Sequence, residues 1–383
     1  MKPLWLKLKL PPSQTEVGCR PPAAPAARRW YRSWLPLLFA CTWLVGCQSH
    51  LSTTPPAYSD SGYPAGLSSA ALKHIDSIAI DVKRANDNAG QAGYEIVSGP
   101  YRIFTTIGNS TQQHLIALVL RDEWRQFHYL LPSVHPLEPL RGYLFAHHRQ
   151  WANFTRQVMG KSAGYYVEPG VNGYDRGVMF ALYLTTIPAL LSVMAHEAWH
   201  QFSYVGLKDH LPAWMDEGLA TQFEAVCWRH GKPYFDSALN YPRWLALRAV
   251  CRRGEFIPLH IFLRISAGAA LAAGPRMTQS YYAQVWSFML FLTIHDGWHT
   301  IKQAVRSAHR GALTSALLAA GLSESDLTHE TGRWNLIAGP LFFRCYFAQH
   351  PKYIFNEYRR FARRVAAHWP PRIPSSVIAH GAI

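Results

Sequence analysis

Ile187-Pro188-Ala189-Leu190-Leu191-Ser192-Val193-Met194-Ala195-His196-Glu197-Ala198-Trp199-His200-Gln201-Phe202 reads as one buried helix with a proline in its first turn, and the rest of the chain is organised around it. At 3.6 residues per turn His196 and His200 project from one face, and Glu197 lies about 100° round. Two imidazoles so placed can share a metal ion, and a carboxylate beside the first can reach a metal-activated water without being a ligand. With 19 His and 12 Glu in 383 residues, an H-E-x-x-H string arises by chance in roughly 0.03 of such chains, so the match favours function over accident. Zinc in a hydrolytic site takes three protein ligands and a water, so a third donor must come from another element. Leu211-Pro212-Ala213-Trp214-Met215-Asp216-Glu217-Gly218-Leu219-Ala220 offers one. Pro212 suits a helix start, Glu217 one to two turns in can face the first helix across the short loop Gly206 to His210, and Gly218 leaves room for close helix contact.

The chain before this helix predicts an α+β lobe over residues 67–186. Leu67 to Asn88 has amphipathic helical spacing; Tyr94-Glu95-Ile96-Val97 and Tyr101-Arg102-Ile103-Phe104-Thr105 read as strands. Gln112 to Leu131 reads as a helix, Leu140 to Phe145 as a strand, Trp151 to Val158 as a helix, and Tyr165-Tyr166-Val167 and Gly177 to Tyr183 as strands that continue the sheet. From Ile187 onward helical patterns dominate: Pro212 to Trp228, Arg243 to Arg252, Leu259 to Ile265, Tyr281 to Ile294, Ile301 to Ala308, Leu313 to Ala320 and Lys352 to His368. The fold class expected is therefore α+β, an N-terminal mixed sheet-and-helix lobe followed by a mainly helical lobe at 187–300 and a C-terminal helical region at 301–383.

H-E-x-x-H followed by W-x-x-E-G-x-A resembles the gluzincin zinc metallopeptidases, the group that includes thermolysin and the zinc aminopeptidases. The resemblance spans roughly Tyr94 to Leu292 as an ordering of elements, with specificity only in the two zinc motifs. It implies one Zn2+ per chain held by His196, His200 and Glu217, Glu197 as general base, and a peptide or protein substrate. The His200 to Glu217 gap is a little shorter than in thermolysin and fits bacterial envelope members of the clan better. Tyr281-Tyr282-Ala283-Gln284-Val285-Trp286 is similar to the aminopeptidase segment whose tyrosine stabilises the oxyanion, which points to Tyr282, or else Tyr281. The strand directly before the zinc helix resembles the edge strand along which gluzincins pair with extended peptide, although a run so apolar suits an interior strand equally. Two other readings use the same motifs: a non-catalytic zinc-binding assembly module, for which Glu197 has no use, and a zinc hydrolase of a non-peptide amide.

Other candidates carry less. His295 and His299 also stand four apart, but no glutamate follows His295 and Gly297 interrupts the helix. His147 and His148 are adjacent and diverge on any regular element. Thr221 and Glu224, four and seven residues after Glu217, lie on its helical face, where either can orient a ligand from behind. Arg359, Arg360, Arg363 and Arg364 mark a solvated or lipid-facing helix surface. Cys227 and Cys251 are either a disulfide or, with Cys345, free thiols.

Arg28, Arg29 and Arg32 precede the apolar run Trp34 to Val45, which has signal-peptide length. Leu44-Val45-Gly46-Cys47 resembles a lipobox, which implies cleavage after residue 46, acylation of Cys47 and a lipid anchor in the membrane. Gln48 resembles the sorting rule for the outer membrane, facing the periplasm. Residues 47–66, rich in Ser, Thr and Pro, read as a tether. Residues 1–46 carry seven Lys or Arg and one Glu, so the formal charge of +15 falls to +9 without them. The body stays basic, which favours anionic lipid or envelope polymers; export and the absence of a recognisable motif argue against nucleic acid.

Overall fold

The computed structural model describes Pro64 and residues 67–88, 90–167, 173–183, 186–296, 298–319, 333–347 and 351–368. The leader, Cys47 and nearly all of the expected tether lie outside the described residues. The protein is α+β, as the sequence predicts, with a mixed six-stranded sheet in the N-terminal part and mostly helices after it.

The described residues of Leu38–Val205 form one unit with Gln222–Ser237. Its elements are α1 (Ser69–Asp76), β1 (Asp81–Asn86), β2 (Ala92–Ser98), β3 (Tyr101–Thr105), α2 (Ser110–Leu130), β4 (Leu140–Phe145), α3 (His148–Met159), α4 (Ala163–Tyr166), β5 (Gly173–Asp175), β6 (Met179–Tyr183) and α5 (Ile187–Gly206), then the hairpin β7 (Val226–Arg229) and β8 (Lys232–Phe235). The sheet runs β1-β2-β3-β4-β6-β5. An antiparallel meander of the first three strands gives way to parallel pairing of β3 with β4 and β4 with β6, and β5 closes the edge antiparallel to β6. The parallel centre explains why Tyr143, Leu144 and Phe145 are all buried in sequence rather than alternating.

α5 lies against this sheet and α2. Gln201, fully buried, donates from Nε2 to the Arg141 carbonyl of β4 at 2.8 Å. Trp199 and Phe202 pack edge-on or tilted against Phe127 of α2, with ring centroids 5.5 and 4.9 Å away. α2 itself starts on Asn109, whose side chain accepts from the Gln112 amide at 3.0 Å and satisfies one of the orphan donors of the first turn.

Gly206–Thr221 and the described residues of Ala238–His380 form the second unit. It contains most of α6 (Ala213–Phe223), then α7 (Tyr241–Arg253), α8 (Leu259–Phe262), α9 (Ala267–Ala272), α10 (Pro275–Asp296), α11 (His299–Arg310), α12 (Ala312–Ala319), α13 (Arg333–Tyr346) and α14 (Pro351–Ala367). α10 is its centre: Tyr281, Trp286, Phe288 and Met289 are fully buried, and Ser287 Oγ shares a hydrogen bond with Tyr358 Oη of α14 at 2.8 Å. Trp214 of α6 donates its indole N–H to the Gly339 carbonyl of α13 at 3.4 Å and meets Phe288 edge-on. Among the described residues no helix is long and apolar enough to cross a membrane.

Several expectations need correction. Leu67 to Asn88 is not one helix: α1 ends at Asp76, and Asp81–Asn86 is an edge strand. Ile75, Ile78 and Val82 mimic helical spacing, but pairing with β2 along six residues overrides it. Ala163–Tyr166 is a helical turn, and the strand there is Gly173–Asp175. The helix expected over Pro212 to Trp228 stops at Phe223, because Val226 to Trp228 joins a hairpin whose turn, His230-Gly231, has both φ values positive (51° and 73°), the geometry of a tight hairpin turn. β6, the strand directly before α5, is interior, flanked by β4 and β5, so the free edge belongs to β5. Of the two alternatives for the cysteines, the disulfide does not form: Cys227, Cys251 and Cys345 are not bridged, and burial pushes the Cys227 and Cys251 thiol pKa values up to about 11.

Candidate metal centre

α5 brings His196 and His200 to one side of a single helix, as their spacing requires, with Nε2 of each 3.2 Å apart. Nδ1 of His196 is 2.9 Å from Oε1 of Glu224. A carboxylate only accepts, so Nδ1 carries the hydrogen and Nε2 of His196 is left with its lone pair toward His200. Ligand nitrogens about 2.0–2.1 Å from a tetrahedral zinc stand roughly 3.3 Å apart, which is the spacing found. His196, His200 and Glu217 form a buried group whose candidate ligand atoms all lie within 4.8 Å of one another, and it is the one group of three or more such residues found among the described residues. Glu217 need close only part of that distance to complete a His-His-Glu donor set. Borderline-soft imidazole with one carboxylate is a donor set suited to zinc. Two imidazole nitrogens facing each other at 3.2 Å also need a proton or a cation to relieve lone-pair repulsion.

Ring packing and close backbone approach position the elements that carry these groups. Phe223, the last residue of α6, stacks on Trp199 of α5 with the rings 12° apart and meets Phe127 and Phe235 edge-on. That clamp fixes the backbone next to Glu224. At Gly218, a Cβ would come within 2.9 Å of the Met289 side chain and 3.3 Å of the Val285 carbonyl, so the glycine beside Glu217 permits close contact with α10. Thr221 donates to the Gly218 carbonyl at 2.6 Å, while Glu224 takes the histidine. Glu197, following His196 on α5, is fully buried.

Tyr281 is fully buried and its hydroxyl has no hydrogen-bond partner. Burial, then the Glu217 and Asp216 carboxylates, push its phenol well above the usual range, so its hydroxyl lies within the field of Glu217. Tyr282 stands beneath the Arg243 guanidinium, 4.6 Å from the ring centroid. His295 and His299 end α10 and open α11 and join no metal-capable group among the described residues.

Sequence reasoning missed Glu123. This residue of α2 is fully buried, neither carboxylate oxygen has a hydrogen-bond partner, and burial lifts its pKa well above the carboxylate range, with the His196 imidazole opposing the shift. The signal was present: Glu123 falls on the buried stripe of Ile116, Leu120 and Phe127, where an acid is out of place. Burial likewise raises the neighbouring Tyr101 phenol, with Glu123 adding to the shift. Gln201, which ties α5 to β4, carries no comparable signal in the sequence.

No family model matches this chain, and no curated protein or solved structure matches it either.

Proposed function

We propose that the protein is a zinc-dependent peptidase that uses His196, His200 and Glu217 as metal ligands and Glu197 as general base. The observation that carries this reading is the convergence of the two imidazole Nε2 atoms at 3.2 Å, with Nδ1 of His196 held by Glu224 and Glu217 within 4.8 Å. A binding module has need of the ligands but none of a buried carboxylate directly after the first of them. Zinc, when bound, supplies Lewis acidity to water and to the scissile carbonyl. Glu197 takes a proton from the attacking water and delivers it to the departing amine. Glu224 fixes the His196 tautomer and orientation. Tyr281 is the phenol we assign to the developing oxyanion, in preference to Tyr282, because its hydroxyl is buried, unpaired and within the field of Glu217.

The leader and Cys47 support, from sequence alone, a place at the bacterial envelope on a lipid anchor. The experiment is a cleavage profile of the zinc-loaded protein on a peptide library, with and without a zinc chelator. Chelator-sensitive cleavage supports the reading, and zinc binding without cleavage of any peptide overturns it.

A further inference from the structure

α14 carries a second feature, unrelated to the metal centre. Its inward face buries Phe355, Tyr358, Phe361, Ala362, Val365 and Ala366, so the helix is held by apolar packing and the hydrogen bonds Ser287–Tyr358 and Trp244 Nε1 to the Val365 carbonyl at 2.9 Å. Its outward face is a groove lined by Tyr353, Asn356, Arg359, Arg360 and Arg363. Residues 353, 356, 360 and 363 follow the i, i+3, i+7, i+10 spacing of a single stripe. Arg359 is held in place by stacking over Phe256, 5.7 Å from the ring centroid, and its Nε is buried with no hydrogen-bond partner. Arg360, Arg363 and Arg364 are exposed, and so is Arg252 at the end of α7, which packs against α14. The carboxylate found on this face is Glu357, which pairs with Arg360 at 2.9 Å. Tyr353 is 61 % exposed at the end of the stripe.

A solvated helix face needs no such selection. Its surplus of guanidinium over carboxylate groups, in a row, matches phosphate oxygens, which arginine forks engage in pairs. An exposed tyrosine beside the row suits the boundary between headgroups and acyl chains, where an amphipathic ring is stable. We propose that this face of α14 docks on a bilayer surface by binding the phosphates of anionic phospholipid headgroups, with Arg359, Arg360 and Arg363 as the contacts. The docking is independent of acylation and of the metal, and it holds the helical unit down on the membrane.

The test is vesicle flotation of the full chain carrying Cys47→Ser, so that no acyl chain contributes. Vesicles of mixed phosphatidylglycerol and phosphatidylcholine are compared with phosphatidylcholine alone. Each basic residue near an anionic surface is worth about fivefold in partitioning, so R359Q/R360Q/R363Q lowers binding to the mixed vesicles by roughly a hundredfold. R125Q/R149Q/R156Q, an equal loss of charge at exposed arginines of the sheet unit, changes it by less than about threefold. Should the first triple variant melt early, R360Q/R363Q leaves the Arg359–Phe256 stack intact and carries the test, with a loss of about 25-fold. Equal losses in the two triple variants, no preference for the anionic vesicles, or binding of free glycerol phosphate without binding of vesicles each overturns the proposal.

Discussion

Replacing Glu224 tests the centre where its geometry is most specific. His196 and Glu224 are 1 % and 4 % exposed, and the Nδ1–H to Oε1 bond is 2.9 Å, so solvent and salt screen it little. A hydrogen bond to a charged group is worth about 1.5–3 kcal/mol, and support of this kind for a ligating histidine is worth about 10- to 100-fold in metal affinity. Glu224→Gln keeps an acceptor of the same shape and loses only the charge, so zinc affinity should fall about tenfold at unchanged stoichiometry. Glu224→Ala also leaves Nδ1–H unsatisfied and should fall about a hundredfold. Competition titration against a chromophoric zinc chelator at fixed pH reads both. Wild-type affinity in both variants would mean that the bond does not set the His196 tautomer. If Glu224→Gln loses zinc outright while Glu217→Ala keeps it, the ligand set is wrong.

Glu217→Ala removes one donor of three and should abolish stoichiometric zinc, read by metal analysis after dialysis. Glu123→Met replaces an unpartnered buried carboxyl by an apolar group of similar size and should stabilise the fold by about 1–3 kcal/mol near neutral pH, measured by urea unfolding. The sign with pH follows from the raised folded pKa: the unfolded chain ionises first, so wild-type Glu123 destabilises increasingly above the ordinary carboxylate range, and the advantage of the variant shrinks as pH falls toward it. Tyr281→Phe should cost about 10- to 10³-fold in turnover and Tyr282→Phe about threefold or less; the reverse order in steady-state kinetics moves the oxyanion role to Tyr282.

Much of this architecture is legible in the sequence because it rests on local periodicity. The apolar run from Ile187 gives α5, and i, i+4 spacing alone brings the two imidazoles to one side. What is not legible depends on partners distant in the chain. β1 reads as helix until β2 pairs with it. α13 runs through Gly339-Pro340, and the Leu263 carbonyl, far away in the chain, approaches so closely that a Cβ at residue 339 would collide with it. Glu224 lies on the expected face for supporting a ligand, but the choice between it and Thr221 depends on the end of α6 and the stacking of Phe223 on Trp199. Glu123 is far in sequence from both the His196 and the Glu217 motifs, and only the fold sets its carboxyl within the field of His196.

We propose hydrolysis at a metal centre whose base is Glu197. Glu197→Gln preserves shape and removes the base without removing a ligand, so zinc content and thermal stability should match wild type. Hydrolysis of a peptide that the wild type cleaves and a zinc chelator protects should fall by about 10²–10⁴-fold. Cleavage of that peptide by Glu197→Gln at the wild-type rate, with zinc bound, would show that Glu197 is not the base.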